Sequence, residues 1–120
     1  MKKIGIVGSR RRDTKEDFLA VKKAFFKIYK EGDWIVSGGC PKGGDKFAYI
    51  LHKKYYIPYL EFPANWPKHG KKAGFIRNTP VAKYSDTLIA CVSLDRTGGT
   101  EDTIDKWLYY HKDVENLIIV

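Results

Sequence analysis

With 120 residues, 43% of them hydrophobic and 30% charged, the chain has room for one domain and enough apolar surface to bury a core, which excludes a disordered chain. No apolar run approaches the ~18 residues of a membrane span, and two distant cysteines, Cys40 and Cys91, exclude a disulfide framework or a cysteine-based zinc site. The formal charge is +8, with 14 Lys/Arg against 6 Asp/Glu in residues 1–60 and 8 against 8 in residues 61–120, so the basic half predicts attraction to phosphates, as nucleotides or as a nucleic acid backbone.

The start, MKKIGIVGSR, is charged like a secretion signal, but its apolar run is soon broken by glycine, serine and arginine. It reads as a first strand over 3–7, and a cytoplasmic location with reduced thiols is expected. From Thr14 to Lys30, Phe18, Val21, Phe25 and Ile28 recur at helical spacing behind a Thr14/Asp17 capping box. WIVS (34–37) is a second strand. From Asp45 to Tyr55, Phe47, Ile50 and Leu51 keep helical spacing, with His52, Lys53 and Lys54 where the helix dipole favours positive charge. IPYLEF (57–62) is a weaker strand, and PANWPKHGKKAG (63–74) reads as the one long loop. A third helix is expected over 71–83, interrupted by Pro80, then a strand at TLIACV (87–92). A fourth helix over 100–112 puts Ile104, Trp107, Leu108 and His111 on one side, and LIIV (117–120) closes the chain as a strand.

Apolar runs without alternation suggest strands covered on both faces, and strands alternating with helices require crossover connections. The expectation is a single α/β domain, residues 1–120: a doubly wound, mostly parallel five-stranded sheet with helices on both faces. In such a sheet ligands bind beyond the carboxyl ends of the strands, where strand order reverses. The loops at that rim read GSRRRDT, GGCPKGGD, PANWPKHGKKAG and SLDRTGGT. Glycine at a helix start lets backbone N–H groups approach an oxygen, and the unpaired donors with the helix dipole favour an anion. Arg10, Lys42, Lys46 and Arg96 are expected on the same rim, and a phosphate-bearing ligand accounts for the set.

The familiar phosphate signatures are absent. GIVGSR lacks G-x-G-x-x-G, and GCPKGGDK is followed by no Lys-Ser or Lys-Thr, so neither a dinucleotide fingerprint nor a Walker loop is present. His52, His69 and His111 share no ligand spacing, so no metal and no cofactor are expected. Ser9 and Ser37 lie in no nucleophile elbow and read as hydrogen-bonding residues. Phe62 and Trp66 either stack on a base or pin their loop to the core, and the second is favoured.

Taken jointly, GSR (8–10), SGGCPKGGDKFA (37–48), FPANW (62–66), GKKAGFIRN (70–78), DTLIA (86–90) and GGTEDTI (98–104) resemble the SLOG superfamily, which groups the Lonely Guy phosphoribohydrolases and DNA-processing protein A with small stand-alone relatives of the YspA type. The resemblance spans nearly the whole chain. It implies a Rossmann-like fold with a nucleotide or nucleotide-derived ligand, such as a nucleoside monophosphate or an ADP-ribose-like molecule, held by these loops. Gly8, Ser9, Ser37, Gly38, Gly39, Gly43, Gly44, Gly98, Gly99 and Thr100 would supply close backbone approach and hydrogen bonds. Arg10 and Arg77, the latter beside Asn78, would pair with phosphate, and Asp45 would accept ribose hydroxyls. Lonely Guy enzymes resemble the pattern P-G-G-x-G-T-x-x-E, whose glutamate takes part in cleaving an N-glycosidic bond. Gly99-Thr100 fits the G-T, but the glutamate's place is Thr103, so an enzyme would need its carboxyl from Asp45 or Asp102. The expectation is therefore binding first, nucleotide hydrolysis second, and nucleic acid binding through the basic surface and RRR (10–12) third. Resemblance to Lonely Guy proteins also implies a homo-oligomer.

Overall fold

The computed structural model describes residues 1–120. Strands β1 (Lys3–Gly8), β2 (Trp34–Ser37), β3 (Tyr59–Glu61), β4 (Thr87–Cys91) and β5 (Leu117–Ile119) form one sheet in the order β3-β2-β1-β4-β5. Every neighbouring pair is parallel, so the sheet is wholly rather than mostly parallel. The helices are α1 (Lys15–Ile28), α2 (Gly44–Tyr55), the single turn α3 (Trp66–His69), α4 (Ala73–Tyr84) and α5 (Gly99–His111). This is an α/β Rossmann-like fold, and none of its helices is long and apolar enough to cross a membrane.

Alternation along the strands supplies two cores. Ile4, Ile6, Ile35, Ile89 and Cys91 face α1 and α2, where Val21, Phe25, Phe47 and Leu51 meet them. Val7, Val36, Leu88 and Ala90 face the other way, against Val81, Ala82, Ile104 and Trp107 of α4 and α5. Each large side chain enclosed in this way contributes about 1.5–3 kcal/mol, so packing of these faces outweighs helix propensity. Gly5, on the second face, leaves the space that Ser85 fills, and Ser85 O accepts the Trp107 indole N–H at 2.7 Å.

Local signals set most of the boundaries. Thr14 Oγ1 accepts from Asp17 N at 3.1 Å and Asp17 Oδ2 accepts from Thr14 N at 3.2 Å, which completes the expected capping box of α1. Two expectations are corrected. Pro80 lies inside α4 without interrupting it. The carbonyls near the lost N–H lie on an exposed face, where Phe75 O accepts from Lys106 Nζ at 2.6 Å and Ile76 is 44% exposed. The 63–74 stretch is also not a plain loop: Asn65 Oδ1 accepts from Lys68 N at 3.1 Å, starting α3, and a 3₁₀ turn over Gly70–Lys72 runs directly into α4.

At the amino end of the sheet, buried Asp33 ties β1 to the turn before β2. Its carboxylate accepts from Lys2 N at 2.8 Å, Lys2 Nζ at 2.7 Å and Lys30 N at 2.9 Å. Burial works against ionisation of Asp33, but these hydrogen bonds outweigh it and hold the carboxyl below its ordinary value. A depressed folded-state value means that the contribution is complete above the unfolded carboxylate pKa of about 3.9 and is lost as pH falls through the folded value. Asp33→Asn is therefore expected to cost about 2 kcal/mol at neutral pH, with the deficit shrinking below about pH 4. Urea denaturation of both proteins across that range measures it, and a deficit independent of pH would contradict the assignment.

Candidate functional site

Strand order reverses between β1 and β4: the chain leaves β1 for α1 on one face and β4 for α5 on the other. Between the diverging loops lies a cavity of about 340 Å³. Its walls are the β1–α1 loop from Gly8 to Arg11, the β2–α2 loop at Gly38 and Cys40, one face of α4, and the β4–α5 turn from Thr97 to Thr100. Trp66 and Lys71, ahead of α4, complete it.

The amino end of α5 opens into this cavity. Gly98 is the N-cap, at φ 99°, a conformation that side-chain-bearing residues rarely adopt, and no side chain caps the helix. Thr100 is the second residue of the helix; it is buried, and its hydroxyl makes no hydrogen bond within the chain. The first bond of the helix runs from Asp102 N to Gly98 O, so the N–H groups of Gly99, Thr100 and Glu101 have no acceptor in the protein. The nearby acids are all committed to cations. Glu101 takes Arg96 at 2.8 and 3.0 Å, Asp102 takes Lys106 at 2.8 Å and Asn78 Nδ2 at 3.1 Å, and Asp95 takes Arg11 at 2.7 and 2.8 Å.

The basic rim differs from the expected one. Arg11 also donates to Ser93 and Thr97 hydroxyls at 3.0 Å, tying the β1–α1 loop to the β4–α5 loop. Hydrogen bonds from Arg11, Ser93 and Thr97 hold the Asp95 carboxyl far below its ordinary value. Arg12 is spent on Asp17 and on the Val92 and Val120 carbonyls. Lys46 pairs with Asp13 at 3.0 Å, Arg96 pairs with Glu101, and neither these two nor Lys42 lines the cavity. Arg10 and Lys71 are the cavity's cations without a partner in the chain. Ser9 lines the wall with its hydroxyl accepting from Arg11 N at 3.1 Å.

In the β2–α2 loop only Gly38 and Cys40 reach the cavity, joined by Asp45 from the first turn of α2. Ser37 is fully buried and accepts from Gly39 N at 3.2 Å, while Gly39 lies against the Glu61 carboxylate. Gly43 N donates to Asp13 at 2.9 Å, and Gly44 rests directly on the Val7–Gly8 backbone, where a Cβ would collide. These four expected site residues therefore shape the loop and seat α2 rather than face the cavity. Asp45 accepts from Cys40 N at 3.0 Å and stands 3.8 Å from Arg77 Nη1. Burial pushes its carboxyl above the ordinary value, against the opposing pull of the Cys40 N–H and Arg77. Arg77 Nη1 donates to Gly38 O, and its Nε is enclosed without a partner. Asn78 Nδ2 also donates to Gly99 O at 3.2 Å, fixing the α5 turn on α4. Thr103, at the place of the expected glutamate, is buried and donates back to Gly99 O at 3.1 Å.

Gly8, Ser9, Arg10, Gly38, Asp45, Arg77, Asn78, Gly98, Gly99 and Thr100 thus share one cavity. Cys40, Lys71 and Phe75 join them without having been singled out as lining residues; only the GKKAGFIRN context pointed towards the last two. No family model, curated protein or solved structure matches the chain.

The two kinds of glycine separate experimentally. Gly44→Ala sets a Cβ against backbone and is expected to cost about 3 kcal/mol. Gly38→Ala meets the Arg77 side chain instead of backbone, 2.5 Å from Nη1 and 2.7 Å from Cδ, and is expected to cost less, about 1–2 kcal/mol. Urea midpoints measure both, and equal costs would contradict this division.

Proposed function

We propose that the cavity binds a nucleotide or nucleotide-derived phosphate ligand, a nucleoside monophosphate or an ADP-ribose-like molecule, with its phosphate on the first turn of α5. One observation carries the reading: three unpaired backbone N–H groups and the free Thr100 hydroxyl lie at a side-chain-free helix end that opens on the cavity. Unpaired Arg10 and Lys71 add positive charge around the same space. The volume, about 340 Å³, lies at the low end of the roughly 300–1,000 Å³ usual for ligand sites, which favours a mononucleotide over a larger conjugate. The segments that resemble the SLOG superfamily contribute most of this wall, as that resemblance implies.

Asp45 favours a second reading, a hydrolase of the phosphoribohydrolase type. It is the one carboxyl group lining the cavity, and burial raises its proton affinity, as a general acid for a departing base requires. Asp102 does not line the cavity and is held by Asn78 and Lys106. The nucleic acid reading loses two of its three arginines, since Arg11 and Arg12 are bonded within the chain.

Thermal-shift measurement against nucleoside monophosphates tests the binding. A ligand at 100 times its Kd adds about 2.7 kcal/mol of stability. Arg10→Ala is expected to weaken binding about 10- to 100-fold by removing a charge-assisted bond, while leaving the unliganded melting temperature unchanged. No shift with any nucleotide contradicts the proposal. Free base in the same incubations, abolished by Asp45→Asn, marks the hydrolase instead.

A further inference from the structure

The three tryptophans of the chain are placed differently. Trp107 is fully enclosed and uses its indole N–H on Ser85 O. Trp34 is half-buried at the amino end of β2, the end of the sheet away from the cavity. Trp66 is 50% exposed, makes no hydrogen bond through its indole N–H, and lines the cavity. A tryptophan that pins a loop is buried and has its N–H satisfied. In this segment the pinning falls to Phe62, which stacks on Tyr84 with ring centroids 5.6 Å apart and packs on the core, and to the Asn65 cap of α3. Those contacts hold the segment without calling on the Trp66 indole N–H.

Its position relative to the α5 turn follows from α4. The Trp66 ring edge approaches Gly74, 3.5 Å from where a Cβ would stand. Asn78, four residues on and therefore on the same helix face, holds Gly99 O. The two anchor points are about 6 Å apart along the helix axis, at 1.5 Å per residue, a span that one pentose bridges between a phosphate and a base. Gly74 and Asn78 both line the cavity, and Phe75 adds a second exposed aromatic surface.

We propose that Trp66 is the base-recognising residue of this cavity, offering its indole face to a planar ring while the phosphate of the same ligand sits on the α5 turn. The inference rests on the nucleotide reading and sharpens it: the ligand class is nucleotides in preference to sugar phosphates or inorganic phosphate. Stacking on an indole tolerates any base, so Trp66 selects for a base without choosing strongly among bases.

Titration calorimetry with adenosine 5′-monophosphate and ribose 5-phosphate, on the unaltered protein, Trp66→Ala, Trp66→Phe and Arg10→Ala, tests this. Trp66→Ala is expected to lose about 5- to 150-fold in affinity for the nucleotide and less than about twofold for ribose 5-phosphate. Trp66→Phe retains most of the nucleotide affinity, because a phenyl ring still stacks, and Arg10→Ala weakens both ligands. A nucleotide affinity unaltered by Trp66→Ala, or an equal loss for both ligands at an unchanged urea midpoint, overturns the role of Trp66 and leaves the phosphate seat standing. No binding of either ligand to the unaltered protein overturns both.

Discussion

The first turn of α5 is a helix end that the protein leaves electrostatically open. A helix start carries unpaired N–H groups and a partial positive charge, and a side-chain cap is the usual remedy, worth about 1 kcal/mol. Here the cap is Gly98, which has no side chain to offer, and Asp95, Glu101 and Asp102 all hold cations or amides of their own. The neighbouring elements keep the turn in place without filling it. Asn78 grips Gly99 O from α4, Thr103 bonds the same carbonyl from inside the helix, and Arg11 ties down the preceding loop. Rigid support around free donors is the arrangement that binds an anion with little reorganisation.

The reversal of strand order gives this turn its cavity. α2 sits so close to β1 that Gly44 rests on the Val7–Gly8 backbone, which keeps the β2–α2 loop on one side of the crevice and α5 on the other. Arg77 reaches from α4 to Gly38 O and towards Asp45, joining α4 to the β2–α2 side of the crevice. Its role in the unliganded protein is to join two walls. Thr103 turns its hydroxyl into the helix, so the position resembling a glutamate presents no acid, and any proton transfer in the cavity falls to Asp45.

The strands and helices were legible in the sequence because their signals are local. WIVS is β2 to the residue, and the Thr14/Asp17 box starts α1 where the spacing placed it. The site was legible only as a set of loops. Glycine marks close approach without saying what approaches, so Gly43 and Gly44, which serve helix seating, looked the same as Gly98 and Gly99, which open on the cavity. Charge pairing is hidden for a related reason: Arg11 and Asp95 are 84 residues apart, and only the fold reveals that they cancel. Pairing left Arg10 and Lys71 as the unpartnered cations of the wall, a distinction that composition cannot draw. The Asn65 cap of α3 is a local feature, whereas the placement of Trp66 beside Gly74 depends on how α3 and the 3₁₀ turn lead into α4.

The central claim is that a phosphate meets the backbone of the α5 turn. Amide chemical shifts in a ¹⁵N-resolved NMR titration with adenosine 5′-monophosphate report that contact directly. The account predicts that the Gly99, Thr100 and Glu101 N–H resonances move downfield together and saturate along one binding curve, while the Trp34 N–H, bonded to Lys2 O at the far end of the sheet, stays near its unliganded position. Saturable binding that leaves those three resonances unmoved would contradict it.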